Sequence, residues 1–386
     1  MFEKAIYGSK KYYAWVGFLL VLIGVGTLLY LWQLRDGLGI TGLSRDVSWG
    51  FYIGQLTFLV GVAASGLMIV LPYYLHNYHD FGKITILGEF LAIAAIVMCM
   101  TFVFVDMGRP DRVMNVILHP TLNSVMFWDF LVLTVYLLLN VIIAFPILYA
   151  EKKNQAPPYY WLKPVIIFSI AWAPLIHTVT AFLYAGLPGR HLWLTAILAA
   201  RFLASAFAAG PALLILLYII LTRTTKWTAG DKPLSKIAEI VTYAMILNMF
   251  MLGLELFTAF YSNIPGHKHS LTYLFFGLEG KNFLVPYMWA SVIIGLGFIF
   301  MLLMPAVRKN VRLLAVACVG VFTACWLDKG LGLVVAGFIP NPLEEVVEYV
   351  PTIPELGISL GIFAIGALII TVLYKMVAGV REEVEA

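Results

Sequence analysis

Five polar side chains interrupt long apolar stretches of this sequence at similar distances from one end. They are Gln55, Asp129, His177, Arg201 and Glu255. Each lies five to eight residues from the end of its apolar run, which corresponds to roughly 8–12 Å along a helix. Because polar side chains are costly inside a bilayer, five of them at one depth predict a hydrated or ligand-filled layer.

His177 lies deeper inside an apolar run than the other histidines. Pro174, three residues earlier, frees a backbone carbonyl and leaves room for a polar site, where the imidazole could bind a ligand or exchange a proton. A haem held by two histidines needs a second ligand at this depth, so we expect none. The three cysteines are interpreted as buried apolar side chains rather than cluster or metal ligands. They are Cys99, Cys318 and Cys325.

The same polar residues also have structural interpretations. Arg201 and Glu255 lie at equal depth on neighbouring runs and could form an ion pair. Gln55 could hydrogen-bond to a neighbouring helix. Asp129 directly follows Trp128 near the start of a run, so it could cap a helix or lie at the membrane interface.

Two glutamates, Glu89 and Glu239, lie about one turn inside the opposite end of their runs. Their side chains could simply extend to water. Alternatively, they could take up protons and pass them along the same helices to Asp106 and Glu255. The two pairs are separated by seventeen and sixteen residues, which suggests a four-helix unit used twice in parallel.

The chain has 386 residues, of which 62% are hydrophobic and 12% are charged. Such a chain cannot cover its surface in water, which excludes a soluble enzyme, a disordered protein and a nucleic-acid-binding protein. Ten apolar runs are long enough to cross about 30 Å of hydrocarbon. They are Tyr12–Leu34, Trp49–Leu75, Ile84–Asp106, Ser124–Tyr149, Leu162–Ala185, Leu194–Thr222, Ile237–Tyr261, Leu284–Pro305, Arg308–Leu327 and Leu356–Ala378.

The expected fold is an all-α integral membrane protein with ten transmembrane helices, arranged as two four-helix bundles plus flanking helices. The predicted divisions are a cytoplasmic segment 1–11, the first helix with an outer loop 12–48, the bundles 49–185 and 186–327, an outer loop 328–355, and the last helix with a cytoplasmic tail 356–386. Lysine and arginine are twice as frequent in the loops on the side of the termini, sixteen against eight. Both termini are therefore expected on the inner side of the cytoplasmic membrane.

Several motifs resemble one membrane-protein family. Asp106-Met107-Gly108-Arg109-Pro110, followed by Phe127-Trp128-Asp129, resembles the Asp-Leu-Gly-Arg-Pro and Trp-Asp signatures of NrfD/PsrC-type subunits, with Met107 replacing leucine. Further segments resemble later parts of that family and the tail of its ten-span branch. They are His177–Thr180, Arg201–Ala206, Leu254–Leu256, Asp328–Leu333 and Pro351–Glu355. Asp328 stands where the family has a glutamate before the lysine.

This resemblance implies the quinone-interacting subunit of an anaerobic respiratory redox complex, most similar to the subunits of Dsr-type complexes in sulfur metabolism. It implies menaquinone or menaquinol as the bound substrate near the outer face, with no haem or iron–sulfur cluster in this chain. The implied partners are a periplasmic-side ferredoxin-like iron–sulfur subunit, other membrane and cytochrome subunits, the menaquinone pool and lipid. A nucleic-acid partner is not implied.

On this interpretation, three sets of residues form the site. The predicted catalytic residues are His177, Asp106, Asp129 and Arg109, where Arg109 would pair with Asp106 or orient its loop. The predicted quinone-binding residues are Trp49, Tyr52, Gln55, Trp128 and His177. The predicted proton path consists of Glu89, Glu239, Arg201, Glu255 and Asp328. Two other functions remain open: a secondary transporter, which would also use a repeat and buried charges, and a passive membrane anchor.

Overall fold

The computed structural model describes residues 2–76, 78–230 and 232–385, so Met1 and Ala386, the limits of the predicted terminal segments, lie outside it. Ten long helices dominate the described residues. They are α1 Lys10–Asp36, α2 Phe51–Leu75, α3 Thr85–Asp106, α4 Val125–Lys152, α5 Tyr159–Ala185, α6 Ile197–Thr224, α7 Lys232–Ser262, α8 Val285–Leu303, α9 Val311–Ala336 and α10 Ile353–Glu385. Each is long and apolar enough to cross a membrane, which confirms the ten predicted spans and a multi-pass membrane protein.

One short helix, Phe2–Ile6, precedes the first span, and others connect several of the spans. The connecting helices are Leu38–Ile40, His79–Phe81, Pro110–Arg112, Asn115–Leu118, His191–Trp193, Pro265–Phe275 and Pro305–Lys309. The tight turn between α8 and α9 is the single-turn helix Pro305–Lys309, after which the side chain of Asn310 accepts hydrogen bonds from the first backbone amides of α9. This cap lets α9 begin within a few residues of the end of α8.

Helices α2–α5 pack in sequence as one four-helix bundle, and α6–α9 pack as a second. The bundles meet where α2 contacts α6 and α9, and where α5 contacts α6. Helix α10 packs against α1, α3 and α4, and α1 packs mainly against α10. Both flanking helices therefore lie beside the first bundle, and most of the α1 surface is left to lipid.

Small residues let α2 approach the second bundle closely. A Cβ atom on Gly210 of α6 would lie 2.8 Å from the Cβ of Ser65, and one on Gly61 of α2 would lie 3.5 Å from the Cα of Ala206. Such contacts are typical of helices that pack without large side chains between them. In the proposed repeat, Ala63-Ala64-Ser65-Gly66 of α2 corresponds to Phe207-Ala208-Ala209-Gly210 of α6, so corresponding segments of the two bundles face each other.

Helix α9 extends beyond its predicted end. The sequence places Asp328 and Lys329 in an outer loop, but the structure continues α9 through a π-helical segment, Leu327–Leu333, as far as Ala336. Both charged side chains are buried in this segment. The prediction was wrong because charges and glycines usually end an apolar run, whereas here the charges find partners on other helices.

The closest approach of α2 to α9 gives a test of this packing. A Cβ on Gly54 would lie 2.2 Å from the carbonyl oxygen of Gly330, whereas a Cβ on Gly253 of α7 would have no neighbour within 4 Å. We expect Gly54→Ala to reduce stability by about 1–3 kcal/mol through overpacking, and Gly253→Ala to leave stability unchanged or slightly higher. Thermal unfolding of the purified chain in detergent measures both; equal melting temperatures would contradict the close contact.

Candidate functional site

The ends of the helices that carry Asp106, Ala185 and Ser262 are called the outer end here, because loop charges predict that they face outward. Eight residues inside this end, the His177 side chain is completely buried. Neither of its ring nitrogens has a hydrogen-bond partner in the described part of the chain. A neutral imidazole carries one donor and one acceptor, and leaving buried polar atoms unpaired is costly. This side chain is therefore suited to hydrogen-bond a bound molecule.

Asp129, on the neighbouring helix α4, is bonded to the helix that carries His177. The hydroxyl of Thr180, one turn from His177 on α5, donates a 2.6 Å hydrogen bond to Asp129 Oδ1. The Asp129 side chain is buried. It therefore points into the first bundle, rather than capping α4 or lying at the membrane interface.

Four aromatic rings form a wall between the two bundles near the outer end. Tyr184 and Trp193 have ring centroids 5.0 Å apart, and Trp193 lies 5.1 Å from Phe338. Trp49 packs against the other three. The Tyr184 hydroxyl hydrogen-bonds to Thr57 on α2, so the wall reaches down α5 towards His177.

A cavity of about 310 Å³ lies against this aromatic wall. Trp49, Phe338 and residues 187–190 line it. Arg190 lies at its edge, with its guanidinium 4.3 Å from the centre of the Phe338 ring and a 3.2 Å hydrogen bond to the Phe338 carbonyl. The result is an apolar space with a cation at its edge, which suits a flat ring that carries polar groups on its rim.

Tyr52 and Asp106 form a second polar group on the side of the bundle that faces α1 and α10. The Tyr52 hydroxyl donates a 2.8 Å bond to Gln33, whose amide donates a 2.6 Å bond to the carbonyl of Val105. The Asp106 carboxylate is close enough to Glu355 and Tyr52 to interact with them electrostatically, and its Oδ1 is buried without a partner in the described residues. Tyr52 therefore lies with Asp106 rather than at the aromatic wall.

Glu355, at the start of α10, holds this outer end together. It is completely buried and accepts hydrogen bonds from the backbone amides of Gly42 and Thr352, at 2.7 and 2.8 Å, and from the Tyr349 hydroxyl at 2.5 Å. Burial and the neighbouring carboxylate raise the pKa of the Tyr349 phenol above its ordinary value, so Tyr349 remains a donor. The Tyr349 oxygen in turn accepts a bond from the Phe51 amide, which fixes the start of α2.

Two predicted site residues lie on the exposed surface instead. The expected pairing of Arg109 with Asp106 is wrong: Arg109 lies in the loop beyond the end of α3 and bonds to Asp111 at 2.9 and 3.0 Å, with 65% of its side chain exposed. Trp128 is 43% exposed, and its indole N–H donates to the Leu122 carbonyl. In the described structure, neither side chain lies near His177.

The charged residues of the second bundle neutralise one another. Arg201 hydrogen-bonds to Glu255 on α7 and, at 2.5 Å, to Asp328 on α9, and all three side chains are buried. The Lys329 ammonium donates to the Phe202 carbonyl at 3.2 Å and lies 3.9 Å from the centre of the Phe202 ring. The direct contact between Arg201 and Glu255 confirms their structural interpretation as an ion pair. The two cations and two carboxylates balance in charge, although Glu255 Oε1 has no partner among the described residues.

Gln55 also has a structural role. Its oxygen accepts a 2.7 Å bond from the indole of Trp326, and its amide donates a 3.2 Å bond to the Gly330 carbonyl. These bonds attach α2 to the π-helical segment of α9 and use both ends of the amide. In this arrangement, Gln55 joins the bundles.

The two inner-end glutamates have different surroundings. Glu239 is 33% exposed, bonds to Lys236 at 2.7 Å and lies 3.9 Å from Arg308, whereas Glu89 is buried. Glu89 is close enough to Tyr136 on α4 to interact with it electrostatically. Asn140, one turn from Tyr136, is buried and its Oδ1 has no partner among the described residues. The spacing of seven and four residues places Asp129, Tyr136 and Asn140 on one face of α4.

Comparison with known proteins agrees with this architecture. The family model described as "Polysulphide reductase, NrfD" matches residues 39–339. A putative membrane subunit of dimethyl sulfoxide reductase from Halobacterium salinarum is 26% identical, over 92% of this chain and 89% of that protein. The Hdr-like menaquinol oxidoreductase integral membrane subunit of Archaeoglobus fulgidus is 23% identical over 99% and 97% of the two chains. The menaquinone reductase integral membrane subunit of Nitratidesulfovibrio vulgaris is 22% identical over 97% and 94%.

The charge cluster of the second bundle gives a test of stability. Arg201→Gln leaves two carboxylates buried without their cation, and we expect it to reduce stability by about 3–5 kcal/mol. Lys236→Gln removes only the half-exposed partner of Glu239 and serves as the control, with little expected change. Thermal unfolding in detergent compares the variants; equal losses would show that the buried cluster does not hold α6, α7 and α9 together.

Proposed function

Because the chain belongs to the NrfD polysulphide reductase family, we propose that it is the quinone-interacting membrane subunit of a multi-subunit redox complex. On this proposal, menaquinone or menaquinol binds near the outer end of the first bundle. It exchanges electrons with an iron–sulfur subunit docked on that side. The names of two relatives, a menaquinol oxidoreductase subunit and a menaquinone reductase subunit, support this choice of substrate.

The observation that carries the proposal is the buried, unpaired imidazole of His177. A quinone carbonyl accepts a hydrogen bond, and a quinol hydroxyl donates one. The two ring nitrogens of a neutral imidazole can make either bond. Binding would therefore satisfy a polar group that the protein alone leaves unpaired, at a depth that a lipid-soluble molecule can reach.

Oxidation of a quinol releases two electrons and two protons, and reduction takes them up. We assign proton exchange with the quinone to His177, with Asp129, which is bonded to Thr180 one turn from His177, as the second acid–base group. The Thr180 hydroxyl orients the Asp129 carboxylate. The aromatic wall of Trp49, Tyr184 and Phe338 would exclude water and pack against the quinone ring.

The location near the outer end follows from the electron transfer. The described residues contain no group of three or more side chains suited to hold a metal ion, and the proposal passes electrons from the quinone to a cluster in the partner. A short distance to the outer surface favours that transfer. For the assembly itself, we propose a Dsr-type complex with further membrane and cytochrome subunits. The argument from a short electron-transfer distance applies to that complex as well.

The transporter alternative has less support. Broken helices in a transporter repeat occupy corresponding positions in the two halves. Here the irregular segments are Ala64–Gly66 in the first helix of one bundle and Leu327–Leu333 in the last helix of the other. Their positions do not correspond, and the second is fixed by neutralised charges.

The first functional test replaces the proposed proton-exchange group. We expect His177→Ala to lower quinol-linked electron transfer by roughly 100-fold or more while the complex still assembles. His119→Ala, which changes an exposed histidine of an outer loop, is the matched control and should retain full activity. Turnover with a soluble menaquinol analogue measures the effect, and co-purification of the partner subunits measures assembly. Unchanged turnover in the His177 variant would remove this residue from the mechanism.

A second test concerns proton uptake from the inner end. Glu89, Tyr136, Asn140 and Asp129 offer a polar route through the first bundle, so Glu89→Gln should slow turnover without weakening quinone binding. Glu239→Gln is the matched control, because one third of the Glu239 side chain is exposed and the carboxylate is already paired with Lys236. Turnover and menaquinone retained per chain after purification provide the two readouts. An unchanged rate in the Glu89 variant would favour proton exchange on the outer side alone.

A further inference from the structure

A second cavity, of about 430 Å³, lies at the inner end, on the opposite side of the molecule from the quinone site proposed above. Three separate parts of the chain form this cavity: the loop between α2 and α3, the first turns of α7, and the turn between α8 and α9. Its volume falls within the range of about 300–1,000 Å³ typical of small-molecule sites. Leu234, Val311 and Leu314 provide an apolar floor.

The side chains around this cavity are predominantly basic. Lys232, Lys236, Arg308 and Lys309 line it, with Asp80 and Glu239 as the carboxylates. The two oxygens of Glu239 face Lys236 and Arg308, so this carboxylate is already matched. The side chains of Lys232 and Lys309 form no hydrogen bond or ion pair with other described residues. Four cations and two carboxylates line the cavity, which leaves an excess of two positive charges.

The backbone adds to the positive potential. Helices α7 and α9 both begin at this cavity, and the N-terminal end of a long helix carries a partial positive charge. Arg308 is held in place by a 2.7 Å hydrogen bond to the carbonyl of Leu302 at the end of α8. An anion in the cavity would therefore meet fixed groups as well as mobile lysines.

We infer that this cavity binds the phosphodiester headgroup of an anionic phospholipid. The phosphate would lie between Lys232 and Lys309, and the apolar floor would contact the glycerol backbone. Basic cavities between transmembrane helices on the inner side suit such headgroups. A free phosphate ion shares the charge but lacks acyl chains, and the surroundings favour the lipid.

The neighbouring surface accounts for the acyl chains. Leu303 and Met304, at the end of α8, and Leu313, in the first turn of α9, are large apolar side chains with 42–52% of their surface exposed. They lie within a few residues of Arg308 and Lys309 on the same connection. Acyl chains that extend from a headgroup in the cavity into the membrane would cover these three apolar side chains. Such a lipid would join the start of α7 to the turn between α8 and α9, where Glu239 and Arg308 lie 3.9 Å apart.

Native mass spectrometry of the purified full chain tests the inference, by titration with dioleoylphosphatidylglycerol and dioleoylphosphatidylcholine. We expect tighter binding of phosphatidylglycerol. The double variant Lys232→Gln/Lys309→Gln should weaken it by roughly tenfold or more, since each lysine contributes favourably to binding of an anionic headgroup. Lys152→Gln/Lys163→Gln makes the same charge change at exposed inner-end positions outside the cavity and should bind as the wild type does.

Three results would overturn the inference. Equal affinity of the cavity variant and the wild type would show that these lysines do not form the site. Equal binding of phosphatidylcholine would show that the negative charge is not recognised. Displacement of phosphatidylglycerol by millimolar inorganic phosphate, with the loss of that competition in the cavity variant, would assign the cavity to a soluble anion rather than to a lipid.

Discussion

The pairing of polar groups inside an apolar bilayer governs this structure. Arg201 is buried among apolar helices, and carboxylates from α7 and α9 neutralise it. Loss of one member would leave an unpaired buried charge, which costs several kcal/mol. The cluster therefore fixes three helices of the second bundle relative to one another. Gln55 then attaches the first bundle to the same segment of α9. Because the aromatic wall lies between the two bundles, its position depends on this attachment.

The two bundles use polar side chains at similar depth for different purposes. In the second bundle, two cations and two carboxylates balance in charge, while Glu255 Oε1 and both polar atoms of the Asn248 amide are buried without a partner among the described residues. In the first bundle, His177 and Asp106 retain buried atoms without a partner among the described residues. Small residues at corresponding positions let the bundles pack directly, so the rigid second bundle supports the first. The imidazole of His177, which can both accept and donate a proton and has neither ring nitrogen paired among the described residues, directs our functional proposal to α2–α5.

The sequence predicted the ten spans and the depth of the polar layer, because both depend on hydropathy along the chain. It did not predict which polar groups are paired, because that depends on the helix face and on distant residues. Asp328 and Lys329 have the composition of a loop, but their side chains contact α6, which allows α9 to continue through them. Arg109 and Asp106 are close in sequence, but the end of α3 separates their side chains. Tyr184 and Trp193 were missed because interfacial aromatics are common at the ends of spans.

The arrangement of α3 and α4 bears on how protons would cross the first bundle. Along α3, Glu89 and Asp106 are seventeen residues, or roughly 25 Å, apart, and the buried side chains between them are almost all apolar. Helix α4 instead presents Asn140, Tyr136 and Asp129 on one buried face, and Tyr136 lies close to Glu89. A relay through α4 would end at Asp129 and Thr180, one turn from His177 along α5, whereas a relay along α3 would end at Asp106, which is close enough to Glu355 to interact with it electrostatically. For the function proposed here, the spacing of polar side chains favours α4, with Asp129 as the proposed group through which inner-end protons would reach the quinone.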